Sequence, residues 1–222
     1  MMLSFSLPAT ALELTDAYLR ATLAGDAAEA LRLAMEQGLS AGVSAAELEL
    51  RMILPAQHEV GRLWQENRIS VAQEHLATSI SQLVMSHLYA HLPRPQPNGR
   101  RVLVACVEGE MHDLGARMGA DFLEMSGFDV RFMGANVPAE RLCAAVREHK
   151  PDLLGLSATV SVHWPALADA VAKVRTVAPM LPIVIGGAFI DSTPGLSERL
   201  GVQACGADAE ALVSQCRALL QC

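Results

Sequence analysis

Up to His91, apolar positions recur at intervals of three and four residues, the period of helices that turn one face to a core. This spacing predicts four helices, at about 9–24, 26–37, 44–66 and 70–91, separated by Gly25-Asp26, Gly38 to Ser44 and Asn67 to Ser70. Ser70-x-x-Gln73 reads as a capping box that opens the last helix. Its Val71, Leu76, Ile80, Leu83, Val84 and Leu88 read as that helix's apolar stripe. A four-helix bundle is the expected outcome.

From Arg101 the pattern changes to short β-branched runs that alternate with helical spacing. Strands are expected at Arg101 to Val107, Phe128 to Gly134, within Leu153 to Ser161, within Ile183 to Ala188 with its Gly-Gly turn, and near 201–205, with helices near 113–126, 138–149, 164–178 and 208–220. Such alternation builds a parallel sheet covered on both faces, here in the flavodoxin-like order 2-1-3-4-5. Between the two patterns, Pro93, Pro95, Pro97 and Gly99 form a stretch that neither helix nor strand tolerates. The fold class is therefore α/β: a four-helix bundle over 9–92, a linker over 93–100, and a flavodoxin/Rossmann-like, doubly wound, parallel five-stranded domain over 101–222.

Composition narrows the function classes. With 222 residues and 51% hydrophobic content, the chain can bury a core in each part. Its 17 basic against 24 acidic residues give a net charge of -7, which works against direct nucleic-acid binding. Cys106, Cys143, Cys205, Cys216 and Cys222 are odd in number and widely spaced, so neither a disulfide framework nor a zinc site is implied. No basic leader and no apolar run of membrane-spanning length (about 20 residues) is seen, so a cytoplasmic protein without a membrane partner is expected.

The most informative chemistry lies at Glu110-Met-His112-Asp113-Leu-Gly115, between the first strand and its helix. That is where α/β proteins bind ligands. In an extended segment residues two apart point the same way, so Glu110 can accept a hydrogen bond from one nitrogen of His112 and leave the other to bind a metal.

These residues resemble the cobalamin-binding motif Asp/Glu-x-His-x-x-Gly, in which the histidine replaces the corrinoid's own base as lower axial ligand. The resemblance continues through Asn136-Val-Pro138, through Ser157, Thr159 and Ser161, which would line the pocket for the displaced tail, and through Gly186-Gly187. It implies His112 as cobalt ligand, Glu110 behind it, and Asp113, Gly115, Ser157, Thr159, Ser161, Gly186 and Gly187 around the cofactor. One departure is that the family's Ser-x-Leu reads Ser157-Ala-Thr159 here.

In the predicted bundle, Trp64, nine further residues and then Glu74-His75 resemble the pattern of adenosylcobalamin photoreceptors, a family of light-released transcription regulators. The resemblance implies that Trp64 packs on the adenosyl group, with Glu74 and His75 as polar contacts, and that the protein is a regulator rather than an enzyme. The few residues before the first expected helix leave no room for the family's DNA-binding domain. Output is thus expected through a protein effector or transcription regulator, and a homo-oligomer responsive to light or cofactor is compatible with it. Gln65 stands where the family's repressors carry a histidine that captures cobalt after illumination. Some relatives also hold a bilin, but no residue here speaks for one. The rival reading is the corrinoid methyl carrier of a methyltransferase system. A mutase small subunit fits less well, because it would leave 9–91 without a role.

Overall fold

The structure, a computed structural model, describes residues 10–205 and 208–222. They separate into two compact units, one ending at Leu92 and the other beginning at Pro93. The expected start of the first helix at Ala9 lies outside the described residues.

The first unit is a helical bundle of α1 (Thr10–Ala24), α2 (Ala27–Arg32), α3 (Ala45–Leu48), α4 (Leu54–Gln65) and α5 (Val71–Leu88). α1 packs on α2, α4 and α5, and α5 also packs on α2 and α4. Two of the expected helices are less regular than their spacing suggests. α2 runs on as a π-turn over Leu33–Gly38 and a 3₁₀ turn over Leu39–Ala41, so the second helical run ends at Gly42 rather than Gln37. Gly38 does not break the helix. A Cβ there would lie 2.6 Å from Leu48 Cδ2, so the glycine serves close packing.

The third run, α3 to α4, is interrupted by a π-turn over Glu49–Ile53 just before Pro55. Proline has no N–H to give the carbonyl four residues back, which is that of Arg51. Thr15 Oγ1 in α1 donates to that carbonyl instead, at 2.8 Å.

α5 opens on the expected capping box: Ser70 Oγ accepts from Gln73 N–H, and Gln73 Oε1 accepts from Ser70 N–H. Its buried face differs from the expected stripe. Ile80, Val84 and Leu88 are in the core, but Val71, Leu76 and Leu83 are 53%, 48% and 40% exposed. Ala77, Ser81, Met85 and Glu74 take the inner positions. Beside its large apolar residues the inner face carries small and polar groups, which a count of large apolar residues misses.

The second unit carries one parallel sheet in the order β2-β1-β3-β4-β5. The strands are β1 (Arg101–Cys106), β2 (Asp129–Phe132), β3 (Leu153–Ser157), β4 (Ile183–Gly186) and β5 (Gln203–Ala204). Side chains alternate between its faces. Leu103, Ala105, Leu154, Leu156, Ile183 and Ile185 meet α7 (Ala139–His149) and α8 (Trp164–Val177) on one side. Val102, Val104, Leu153 and Val184 meet α6 (Leu114–Glu124) and α11 (Ala209–Leu220) on the other. Between β4 and β5 lie two short helices absent from the sequence expectation, α9 (Ala188–Asp191) and α10 (Leu196–Leu200). Among the described residues no helix is long and apolar enough to cross a membrane.

Candidate functional site

The carboxyl edge of the sheet positions the candidate site. β1 ends at Cys106, and Val107 N–H is carried by the Ser157 carbonyl at 3.2 Å, tying the loop after β1 to the end of β3. Gly109 then turns with φ +84°, and a Cβ on it would lie 3.3 Å from His163 Cδ2. Both the turn and the approach of that imidazole need glycine. Asn136, itself left-handed at φ 54°, accepts from Gly109 N–H at 2.8 Å, and its own N–H donates to the Glu110 carbonyl at 2.9 Å.

Glu110 is fully buried and serves as the hub. Its Oε1 accepts from His112 N–H at 2.8 Å and lies 2.5 Å from His112 Nδ1. Its Oε2 accepts from Thr159 N–H at 2.6 Å and lies 2.9 Å from His163 Nδ1. Burial alone would raise this carboxyl, but the hydrogen bonds from His112, Thr159 and His163 outweigh it and hold it at about 2, against an ordinary 4.5. A carboxylate ionised in this way accepts a hydrogen bond from Nδ1–H of His112, so Nε2 would be the nitrogen to meet a metal. The His112 side chain is 35% exposed. The bond between Glu110 and His112 that their spacing suggests is therefore present, and it lies within a larger arrangement.

The other candidates in this unit fall as follows. Asp113 is the N-cap residue of α6 and Gly115 lies in its first turn. A Cβ on Gly115 would meet nothing within 4 Å. Glycine inside a helix costs about 1 kcal/mol relative to alanine, and no contact among the described residues requires it here. Ser157 closes β3. Thr159 contributes its backbone N–H to the hub, and Ser161 is exposed at the start of a 3₁₀ turn, Ser161–His163. Gly186 ends β4, where a Cβ would lie 2.3 Å from Cys205 Sγ. Gly187, at φ +111°, has no room for one beside the Ala158 carbonyl oxygen at 2.5 Å.

Trp64, Glu74 and His75 belong to the helical unit. Trp64 is half-buried in the last turn of α4, with Gln65 closing that helix. Glu74 is buried in the first turn of α5. Its Oε2 lies 2.5 Å from Nδ1 of the exposed His75, and its Oε1 accepts from Thr78 Oγ1 at 2.9 Å.

Among the described residues no group of three or more His, Cys, Asp and Glu side chains is placed to hold a metal ion. His112 is a single imidazole donor, which suits a metal whose other positions are filled by a macrocycle rather than a bare ion. The unfilled space at Gly115 agrees with a bulky group at this edge. The residues present thus fit a corrinoid.

Sequence reasoning overlooked Asn136 as the brace of the Glu110 loop, and it read His163 as an ordinary hydrogen-bonded histidine that could approach a corrin, without identifying Glu110 as its partner. The sequence signal for Asn136 is an asparagine two residues before a proline that starts a helix, the usual composition of a left-handed turn. His163 had none, because its contact spans 53 residues.

Two family models, each described as a B12 binding domain, match the chain, one over residues 100–215 and one over 14–89. The HTH-type transcriptional repressor CarH of Myxococcus xanthus is 35% identical over 153 residues, 68% of this chain and 50% of that protein. The chain therefore spans about half the length of that curated relative. Dimethylamine corrinoid protein 1 of Methanosarcina acetivorans is 23% identical over 190 residues, 84% of this chain and 82% of that protein. Among solved structures, the Methanosarcina barkeri monomethylamine corrinoid protein superposes with a TM-score of 0.83 at 21% identity, covering 95% of this chain and 98% of that one. A model match across more than half of its residues, on the unit that holds the Glu110–His112 loop, makes this chain a member of the B12-binding domain family.

Proposed function

We propose that the protein is an adenosylcobalamin-dependent light sensor that passes its signal to a partner protein. His112 Nε2 would hold the cobalt, and Glu110 keeps the ring in the tautomer this requires. Ser157, Thr159, Ser161, Gly186 and Gly187 line the site for the cofactor tail, with Asp113 and Gly115 beside the corrin. On the helical unit, Trp64 stacks on the adenosyl group, while Glu74 accepts from its hydroxyls and His75 adds a second polar contact. When bound, the cofactor supplies a cobalt–carbon bond that visible light breaks. Trp64 and Glu74 are the residues that would hold the upper group, and α4 and α5, which carry them, would repack if it left. The acidic net charge favours a protein effector or transcription regulator over nucleic acid as the receiver.

The observation that carries this reading is Glu74: a carboxylate drawn into a bundle interior, held on both oxygens, ten residues after Trp64 and one before His75. A second reading, a corrinoid methyl carrier that docks on separate methyltransferases, is supported by the greater length shared with the dimethylamine corrinoid protein. Illumination separates the two. Protein loaded with adenosylcobalamin in the dark should change its visible spectrum and hydrodynamic size after a green flash. An unchanged size, with rapid methylation of the cob(I)alamin-loaded protein, would give the case to the carrier.

A further inference from the structure

A continuous chain of polar contacts crosses the helical unit from α1 to the start of α5. The hydroxyl of Tyr18, fully buried in α1, lies 2.9 Å from Ser81 Oγ in α5. Ser81 Oγ accepts from Gln57 Nε2 of α4 at 2.7 Å, and the same nitrogen is 3.3 Å from the Ala77 carbonyl. The Thr78 hydroxyl, with its single proton, lies 3.1 Å from Gln57 Oε1 and 2.9 Å from Glu74 Oε1, and it donates to the nearer, Glu74. The chain ends at His75, on the other oxygen of Glu74.

Each link fixes the next. A carbonyl only accepts, so Ala77 turns the Gln57 amide nitrogen toward itself and leaves Gln57 Oε1 facing Thr78. The Thr78 hydroxyl then lies between two acceptors and gives its proton to the carboxylate, the stronger of them, while Gln57 Oε1 packs against the hydroxyl oxygen. Well-packed apolar side chains would serve stability at least as well as this polar row, which stands where α5 was expected to present leucines. Its distinguishing product is a carboxylate held in one rotamer, Oε1 by Thr78 and Oε2 by His75.

We infer that Thr78 and Gln57 are positioning residues of the upper-ligand site: they fix the Glu74 carboxylate so that it meets the ligand's hydroxyls already oriented. This rests on the reading of Glu74 as an adenosyl contact. An acceptor aligned beforehand loses no rotamer freedom when the ligand arrives, so the benefit falls only on ligands that carry hydroxyls. Methylcobalamin has none in its upper ligand and serves as the internal reference.

The test measures dark affinities of the full chain for adenosylcobalamin and methylcobalamin, together with thermal melting of the cobalamin-free protein. Thr78→Val should lower the adenosyl-to-methyl affinity ratio about three- to tenfold, the value of one hydrogen bond, with methylcobalamin affinity kept. Thr78→Ser should restore the ratio, and Gln57→Met should shift it the same way by less. Glu74→Gln separates the two levels of the argument. If it lowers the ratio while Thr78→Val does not, the inference falls and the Glu74 contact survives. If neither variant moves the ratio, both are wrong. An equal loss for both cobalamins in Thr78→Val, with a lower melting temperature, assigns the chain to folding alone and also overturns the inference.

Discussion

Replacing Glu110 by glutamine is the sharpest test of the hub, because it preserves shape and changes only proton and charge. Both carboxylate oxygens face donors: Oε1 receives His112 N–H and Nδ1, Oε2 receives Thr159 N–H and His163 Nδ1. An amide puts an NH₂ at one of the two places. At Oε2 it points at the Thr159 N–H, at Oε1 at the His112 N–H, and neither backbone donor can become an acceptor. Leaving one enclosed backbone donor unpaired costs roughly 1–3 kcal/mol, and the remaining bonds lose the added strength of an ionised acceptor. The expected loss is about 3 kcal/mol in the second unit. Trp164 lies in that unit, edge-on to Phe189 with ring centroids 6.3 Å apart, so its fluorescence in a Trp64→Phe background follows the relevant transition during urea unfolding. Cobalamin affinity should fall about 10- to 100-fold as well, the usual effect of removing the group that orients a ligating histidine. If Glu110→Gln unfolds at the wild-type urea concentration and keeps wild-type cobalamin affinity, then Glu110 is not the element that organises this loop.

Other expectations concern the packing around the site. Gly186→Ala should cost about 1–3 kcal/mol, because its Cβ would lie 2.3 Å from Cys205 Sγ. In a Cys205→Ala background the same change should cost less than about 1 kcal/mol, and equal costs in both backgrounds would place the strain elsewhere. Asp121, buried in α6, has its carboxyl pushed up from 3.8 to about 6 by burial, against the opposing pull of Arg117 at 3.0 Å and with help from Glu124. Its folded pKa is raised, so its contribution is fully present below about pH 4 and is lost as pH rises through about 6. The change is about 3 kcal/mol, at 1.36 kcal/mol per tenfold. Asp121→Asn should therefore gain on the wild type between pH 4 and 7 in urea unfolding. A pH-independent difference between the two would refute this.

How far the sequence could be read depended on the range of the interactions. The sheet order, the strand starts and the capping box at Ser70 follow from local alternation and local turn chemistry, and Glu110 and His112 are near enough for their bond to follow from strand geometry alone. Gly38 was misread as a break because its reason is a leucine ten residues on, and the π-turn before Pro55 is completed by Thr15, 36 residues from Arg51. The α5 stripe failed for a different cause. Counting large apolar residues selects Leu76 and Leu83, whereas a bundle face built on Ala77, Ser81 and a hydrogen-bonded Glu74 has no such signature. Thr78 could have been found as the residue one turn after Glu74, but Gln57 could not, because its link to Thr78 exists only once α4 and α5 have packed.

The two functional readings share the whole lower half, so the difference between them lies in what binding energy the helical unit supplies. A site built to pair with a hydroxyl discriminates strongly against a ligand that lacks it, because its polar groups are then left unpaired. A methyl carrier would gain nothing from such a site, since the methyl group pairs with nothing. Glu74 already has a partner on each oxygen within the bundle, so a methyl ligand would not leave it unpaired, and hydroxyls on an upper ligand would add donors to its remaining lone pairs. The adenosyl-to-methyl affinity ratio of the unaltered chain is therefore decisive: a ratio well above one supports the sensor, and a ratio of one or below removes the physical reason for placing Glu74 in the site.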